Sequence, residues 1–309
     1  MPARARTWSR SLNATALILI FIAAIAHASW NLFTKQASAA GAASFVWLMS
    51  AAATVIYFPV VVASVIASPP RLTALCWVFM AGTGLLQAGY FLFLQSGYRL
   101  GDLSLVYPIG RGTGALLAAL AGITLLGERP GPAGIAGILL IVAGLVILGI
   151  PVASASQAVT AKAVTAKAIT AKAITFALIT GVFIAAYTLW DKYAVSTLKI
   201  PSLVQGYASL PVMALVLTPF ALRNTGRTAG VWRTYRRQVL GAAVLSPLAY
   251  ILVLTALSFT AVSAVAPARE VSVLFGVLLG RRLLGEGSLA RRLGAAATIA
   301  AGIICIAVG

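Results

Sequence analysis

Long apolar runs follow one another along almost the whole chain, separated by short polar or turn-forming segments. A transmembrane helix needs about 20 predominantly apolar residues to cross the hydrocarbon layer, and the runs are of this length. The pattern therefore predicts an all-α membrane protein with about ten transmembrane helices. In chain order, the predicted spans are 13–34, 43–67, 73–97, 103–126, 132–152, 173–195, 202–222, 238–257, 262–280 and 292–308.

The segment 153–172 interrupts this pattern. It repeats the pentad Ala-Val/Ile-Thr-Ala-Lys, and a period of five matches neither one face of a helix nor one face of a strand. We interpret it as a low-complexity linker without a chemical role, in which the three lysines are solvated.

The sequences on the two sides of this linker resemble each other. In order and at a nearly constant offset, 28–37 matches 185–194, Pro108 matches Pro267, and 125–128 matches 283–286. The matches predict two five-helix repeats, 13–152 and 173–308. An odd number of helices turns the second repeat upside-down in the membrane. Inverted repeats are typical of secondary transporters, which bind substrate near the bilayer midplane where the repeats meet.

Composition supports a membrane protein and limits its partners. The chain is 61% hydrophobic and 9% charged, and its 23 Lys and Arg against five Asp and Glu give a net charge of +18. Most basic residues stand between the apolar runs, where they meet lipid headgroups. We therefore expect membrane lipids as partners and no nucleic acid. Oligomeric state is left open.

The basic residues give two different indications of orientation. Those of the first half favour a cytoplasmic N-terminus, whereas the arginines of the second half favour the opposite orientation. Because early helices and short loops dominate this rule, we expect an inner-membrane protein with both termini cytoplasmic.

Two matched prolines precede charged residues inside predicted spans. Arg111 follows Pro108, and Arg269 and Glu270 follow Pro267. Charges inside a membrane are costly and mark functional sites by default, while a proline there bends the helix. One hypothesis is that an arginine binds an anionic group and Glu270 binds an amine or carries a coupling proton, with the prolines as gating bends. The alternative is a structural Arg–Glu pair that touches no ligand.

Aromatic and polar side chains lie in corresponding helices of the two halves. Trp30 and Asn31 in the first helix match Tyr187 and Thr188 in the sixth, and Tyr90 in the third corresponds to Tyr250 in the eighth. These residues predict the walls of a central cavity, although such side chains also connect helices without binding anything. For His27 and Lys35 the simpler interpretations are an interhelical hydrogen bond and a side chain that snorkels to the interface. Glu128 and Glu286 are expected to fix turns or to pair with local arginines.

The sequence lacks the motifs of an enzyme. It has no glycine-rich loop that ends in Gly-Lys-Ser/Thr, one histidine, and no cluster of His, Asp and Glu. We therefore expect no enzymatic activity, no cofactor and no metal.

Three motifs resemble those of the EamA-type branch of the drug/metabolite transporter superfamily. They are His-Ala-Ser-Trp-Asn at 27–31, Gly-Asp-Leu-Ser-Leu-Val-Tyr-Pro-Ile-Gly-Arg-Gly at 101–112, and the two Leu-Gly-Glu turns. The resemblance implies ten helices, cytoplasmic termini, a central cavity and transport by alternating access. It does not supply a substrate. The small multidrug branch carries a membrane glutamate in its first helix, which is missing here, so a coupling carboxylate would be Glu270, the only acidic residue that we place well inside a span.

The pattern and the resemblance together predict a secondary active transporter of small organic metabolites, which we expect to be a proton-coupled exporter. The expected substrate-binding residues are Trp30, Asn31, Tyr90, Tyr107, Arg111, Tyr187, Tyr250 and Glu270. Two alternatives remain. One is a flippase for lipid-linked sugars or phospholipids, and the other is a membrane partner or sensor that transports nothing.

Overall fold

The computed structural model of the chain describes residues 13–37, 41–101, 103–149, 161–272, 275 and 289–308. Within these residues the fold is all-helical, as the sequence predicts, and no strand is formed. The ten helices of this part are α1 (Ala14–Gln36), α2 (Ala42–Ala67), α3 (Ala74–Leu100), α4 (Leu103–Leu125), α5 (Pro132–Gly149), α6 (Ala161–Ser196), α7 (Ser202–Leu222), α8 (Thr225–Phe259), α9 (Val262–Ala268) and α10 (Leu289–Val308).

Most of these helices are suited to a membrane. Among the described residues, α1 to α4 and α6 to α8 contain stretches long and apolar enough to cross one, and α5 and α10 contain shorter apolar stretches. Large apolar side chains are exposed on their outer surfaces, including Val55, Ile66, Leu139 and Leu215. Soluble monomers rarely expose apolar surface on this scale, so lipid is the solvent that these faces require.

Helix α6 begins inside the segment predicted as a linker. The structure has helix from Ala161, so the last part of the pentad repeat continues directly into the span that we expected to begin at 173. Alanine and lysine are among the strongest helix formers, and their intrinsic propensity outweighs the lack of an amphipathic period. The earlier part of the predicted linker, 153–160, lies outside the described residues.

Helix α9 is shorter than its predicted span. Regular helix ends at Ala268, one residue after Pro267. Beyond that point Glu270 and Ser272 bond to the carbonyl three residues back, to Pro267 and Arg269 respectively. Helix α9 is thus interrupted at Arg269 and Glu270, and residues 271, 272 and 275 are helical again. Residues 273, 274 and 276–280 of the predicted span lie outside the described part.

Helices from the two halves pack against each other in matched pairs. α1 packs on α8. The counterparts of these two helices in the other half, α6 and α3, pack on each other in the same way. The other three helices of the first half each pack on their own counterpart in the second half: α2 on α7, α4 on α9 and α5 on α10. The interior is therefore built at the junction of the two halves.

Glycines allow α5 and α10 to touch backbone to backbone. A Cβ on Gly302 would stand 2.7 Å from the carbonyl oxygen of Gly137 and 3.0 Å from the nitrogen of Ile141.

Gly302→Ala is therefore expected to lower the free energy of unfolding by about 1–3 kcal/mol. Thermal unfolding in detergent measures this. Gly294→Ala, in the same helix, meets nothing within 4 Å and should be neutral or stabilising. Equal effects of the two variants would refute the contact.

Candidate functional site

Glu270 is buried between two arginines at the junction of the halves. Arg111 on α4 donates from Nε to Glu270 Oε2 over 2.8 Å, and Arg269 donates from Nε to Oε1 over 3.3 Å. The two arginines are each 2% exposed and Glu270 is fully buried. The structure thus brings together the three charged residues that follow the matched prolines. With one carboxylate for two guanidinium groups, the cluster has one positive charge in excess.

Three nitrogens of this cluster have no hydrogen-bond partner within the described residues. They are Nη1 and Nη2 of Arg111 and Nη2 of Arg269. An unsatisfied buried donor costs about 1–3 kcal/mol, and more if it is charged. The planar fork of a guanidinium group matches the two oxygens of a carboxylate or phosphate. Excess charge and unused donors together suit the anionic group of a ligand.

Tyrosine rings line one side of the arginine cluster. The Tyr107 ring lies 6.0 Å from the Arg111 guanidinium carbon, and its hydroxyl shares a 3.0 Å hydrogen bond with Ser272. Tyr90 and Tyr187 meet edge to face with ring centres 5.7 Å apart, and Tyr187 meets Tyr250 in the same way at 6.1 Å. Tyr90, Tyr187 and Tyr250, from α3, α6 and α8, therefore form one continuous row of rings, and Tyr107 of α4 lies beside Arg111.

Trp30 and Asn31 use their polar atoms on their neighbours. The Trp30 indole donates to His27 Nδ1 over 2.9 Å. The Asn31 amide donates to the His27 carbonyl and accepts from Tyr98, so both ends are engaged. Among the described residues, the hydrogen bonds of His27 are thus to its own helix. In this conformation these residues support the cavity wall, and their predicted contact with substrate stays a prediction.

The two matched prolines stand in different surroundings. Pro108 lies within the continuous helix α4, whereas Pro267 lies at the end of α9. Both are buried. The sequence predicts bends at both prolines. At Pro267 the regular helix ends one residue later, whereas at Pro108 the helix continues.

Comparison with known proteins identifies the family of this chain. A model of the EamA-like transporter family matches residues 14–150 and 171–308. The chain belongs to the EamA-like transporter family. Family membership confirms the resemblance found in the three sequence motifs. Members of the family are transporters and not enzymes, and the chain is accordingly a multi-pass membrane protein of the drug/metabolite transporter type.

One solved crystal structure shows the same fold as this transporter. It superimposes with a TM-score of 0.71 at 19% sequence identity, covering 95% of this chain and 96% of that one. At this identity the likeness concerns the fold alone. No curated relative matches the transporter.

Two matched lysines bind the C-terminal ends of helices in this EamA-like chain. Lys35 on α1 donates to the carbonyls of Tyr98 and Gly101 at the end of α3, both over 2.9 Å. Lys192 on α6 donates to Leu257 and Thr260 at the end of α8, over 2.9 and 2.8 Å. The last carbonyls of a helix lack intrahelical partners, and a cation there also suits the helix dipole. Lys35 is only partly buried, and its predicted place at the membrane interface stays a prediction.

Glu128 caps a helix of the other half of the transporter. Its two carboxylate oxygens accept from the backbone N–H groups of Val262 and Ser263, each over 2.8 Å, at the start of α9. Glu128 is 8% exposed. It therefore connects the halves and forms no ion pair with a local arginine within the described residues. Its repeat counterpart Glu286 lies outside them.

Removing this cap is expected to destabilise the transporter. Glu128→Ala should lower the free energy of unfolding by about 1–2 kcal/mol, because two buried N–H groups lose their acceptors. Thermal unfolding in detergent is the measurement. Glu128→Gln keeps one acceptor oxygen and should fall between the wild type and Glu128→Ala. Unchanged stability in Glu128→Ala would mean that the two N–H groups are satisfied in another way.

The sequence analysis missed a second buried carboxylate, Asp191 on α6. It is fully buried inside a helix long and apolar enough to span the membrane. The statement that Glu270 is the only acidic residue well inside a span is therefore wrong. Asp191 accepts hydrogen bonds from Thr83, Gln205 and Tyr250. The position of Asp191 inside a predicted span, four residues after Tyr187, is the signal that could have identified it.

Proposed function

We propose that the transporter is a secondary active exporter of small organic metabolites, driven by protons through alternating access. The observation that carries the proposal is the buried cluster of Arg111, Arg269 and Glu270, in which guanidinium nitrogens have no acceptor within the described residues. A stable protein without a ligand gains nothing from unsatisfied buried donors, whereas a binding site requires them.

The surroundings of the cluster indicate the chemistry of the substrate. Arg111 and Arg269 suit an anionic group, and the wall of Tyr90, Tyr107 and Tyr187 suits an apolar or aromatic portion. A small amphipathic metabolite with a carboxylate or phosphonate group has both parts. It would lie between α1, α3 and α4 of one half and α6, α8 and α9 of the other.

Alternating access follows from the proposed relation between the halves. If they are inverted repeats, as their odd number of predicted helices requires, a small rotation of one against the other closes the site on one side and opens it on the other. We propose this arrangement in the inner membrane with both termini cytoplasmic, and with Pro108 and Pro267 as the bends.

The role of Glu270 follows from its contacts. It neutralises one of the two arginine charges, and an incoming substrate anion would neutralise the other. A proton on Glu270 would leave both arginines without a counter-ion. The assignment of the coupling proton to Glu270 stays a prediction, while its contacts favour the role of a partner for the arginines.

A thermal-shift screen with purified protein tests the proposal. The ligands are amino acids, purines, sugars, organophosphonates and cationic drugs, and flux in liposomes follows for any class that binds. At a concentration of 100 times its Kd, a ligand stabilises the folded state by about 2.7 kcal/mol. We expect an anionic class to stabilise the wild type and to lose its effect in Arg111→Gln. Arg99→Gln removes an exposed arginine on α3 and should respond like the wild type.

Stabilisation only by cationic or uncharged ligands would contradict the proposed site. Transfer of a lipid between leaflets without flux of any soluble compound would identify a flippase. Neither binding nor flux with the chain alone would favour the partner or sensor interpretation.

A further inference from the structure

Asp191 is surrounded by neutral hydrogen-bond donors from three helices. Thr83 on α3 donates to its Oδ1 over 2.5 Å, Gln205 on α7 donates to the same oxygen over 3.1 Å, and Tyr250 on α8 donates to Oδ2. No lysine or arginine pairs with Asp191 within the described residues. A buried carboxylate without a cationic partner is costly in its ionised form, so its neutral form is accessible.

The hydroxyl of Thr83 has one hydrogen and two acceptors within reach. One is Asp191 Oδ1 at 2.5 Å, and the other is the carbonyl of Phe79 at 3.0 Å, one turn back in α3. When Asp191 is ionised, Thr83 donates to Oδ1. When Asp191 is neutral, its own O–H donates to Thr83 Oγ1, and the Thr83 hydrogen turns to Phe79. Both protonation states are thus hydrogen-bonded without movement of any heavy atom.

The other contacts of this group are compatible with either state. Gln205 Nε2 lies 2.8 Å from Thr83 Oγ1 and holds that oxygen in place. The Phe79 carbonyl also accepts the indole N–H of Trp190 over 2.8 Å, so it is never left unsatisfied. Glu270 differs in this respect, because its arginine partners can only donate hydrogen bonds and offer no acceptor.

A small cavity adjoins Tyr250, whose hydroxyl donates to Asp191 Oδ2. A cavity of about 10 Å³ is lined by Gln87, Ser246 and Tyr250, among others, and this is about the volume that one water molecule needs. A proton that arrives there is next to the hydroxyl that bonds to Asp191 Oδ2. A metal cation would fit this site poorly, because O–H and N–H hydrogens point at both carboxylate oxygens.

Charged and titratable groups face Asp191 from several helices. From α8 it meets Tyr250, and Arg269, after α9, lies within electrostatic range. α3 and α7 contribute the uncharged Thr83 and Gln205. Tyr187, on the same helix, stands between Tyr250 and Tyr90, and Arg111 from α4 lies within electrostatic range of Tyr187. Lys192 directs its ammonium group to the end of α8. The tyrosine wall thus connects Asp191 with the arginine cluster.

We propose that Asp191, positioned by Thr83, is the group that takes up and releases the proton during transport. This inference rests on the proposed function, since it names the residue that links the proton to the cycle. Uptake of one proton removes the negative charge near Arg269, and this changes the balance of charge at the arginine cluster. In this arrangement Asp191 carries the exchanged proton, and Glu270 is the partner of the two arginines.

Infrared difference spectra of the reconstituted transporter, recorded against pH, test the inference without a substrate. A protonated carboxyl group has a carbonyl band that is separate from the carboxylate and amide bands. We expect such a band to grow in the wild type as the pH falls, to be absent in Asp191→Asn, and to persist in Glu270→Gln. Thr83→Val should shift the frequency of the band, because the neutral carboxyl loses its acceptor. Thr83→Ser, which keeps the hydroxyl, should leave it in place.

The outcomes separate this inference from the proposed function. A band that persists in Asp191→Asn, or that disappears in Glu270→Gln alone, overturns it. A wild-type band that responds to replacement of sodium by a larger cation at constant pH would identify a sodium site instead. In liposomes, Asp191→Asn should lose accumulation driven by a pH gradient but keep exchange of the ligand class found in the thermal-shift screen. Gradient-driven accumulation in that variant overturns the inference and leaves the proposed function intact. No flux in the wild type overturns the proposed function, and with it the link between the Asp191 proton and transport.

Discussion

Replacement of Glu270 by glutamine is expected to abolish flux and to lower the free energy of unfolding by about 3–5 kcal/mol. Glu270 is fully buried and is the ion-pair partner of both Arg111 and Arg269 within the described residues. Without its charge, two buried guanidinium groups lose their counter-ion. Flux in liposomes and thermal unfolding in detergent measure the two effects.

Double variants separate binding from support of the fold. Arg111→Gln combined with Glu270→Gln removes one cation together with the anion, and should recover part of the stability lost in Glu270→Gln. If the arginines bind substrate, flux stays absent although stability returns. Recovery of both would mean that the pair is structural and that the ligand binds elsewhere.

Replacement of Lys192 by methionine is expected to cost about 3 kcal/mol of stability, because two hydrogen bonds from a charged donor are lost at once. The Lys192 side chain is 3% exposed, and the residues that supply its carbonyl partners, Leu257 and Thr260, are also buried. Lys35→Met removes the matching contacts at α3. It should cost less, because Lys35 is only partly buried.

A lysine on the surface of the same helix provides the control for this comparison. Lys172 on α6 is exposed. Lys172→Met removes one positive charge, as Lys192→Met does, but it does not remove the contact with the end of α8. It should leave the unfolding temperature unchanged. A loss in Lys172→Met as large as that in Lys192→Met would show that net charge, and not the contact with α8, sets the stability.

The helices were predictable because their signal lies in hydrophobicity alone. A long apolar run needs no knowledge of its neighbours, so the number of helices and most of their boundaries agree with the structure. The exceptions have local causes. The alanine- and lysine-rich pentads extend α6, and Pro267 precedes the end of α9. The predicted start of α8 at 238 is also wrong, because α8 begins at Thr225 with a polar, arginine-rich stretch that hydrophobicity does not detect.

Part of the site could be predicted from the sequence for a similar reason. Matched prolines and charges indicated Arg111, Arg269 and Glu270, and the structure brings them into contact. The contacts of Lys35, Lys192 and Glu128 could not be predicted, because their partners are backbone carbonyl and N–H groups, which every residue but proline offers. Asp191 escaped notice because its partners, Thr83, Gln205 and Tyr250, are uncharged and come from three different helices.

The cap that Glu128 places on α9 has a consequence for the synthesis of the chain. Val262 follows Glu128 by 134 residues, so Glu128 is synthesised well before the N–H groups that it bonds to. At about 5–20 residues per second, translation needs roughly 7–27 s to produce them. During that interval Glu128 lacks the two backbone N–H donors that it bonds to in the folded chain, so its charge is less costly at the water interface than inside the membrane.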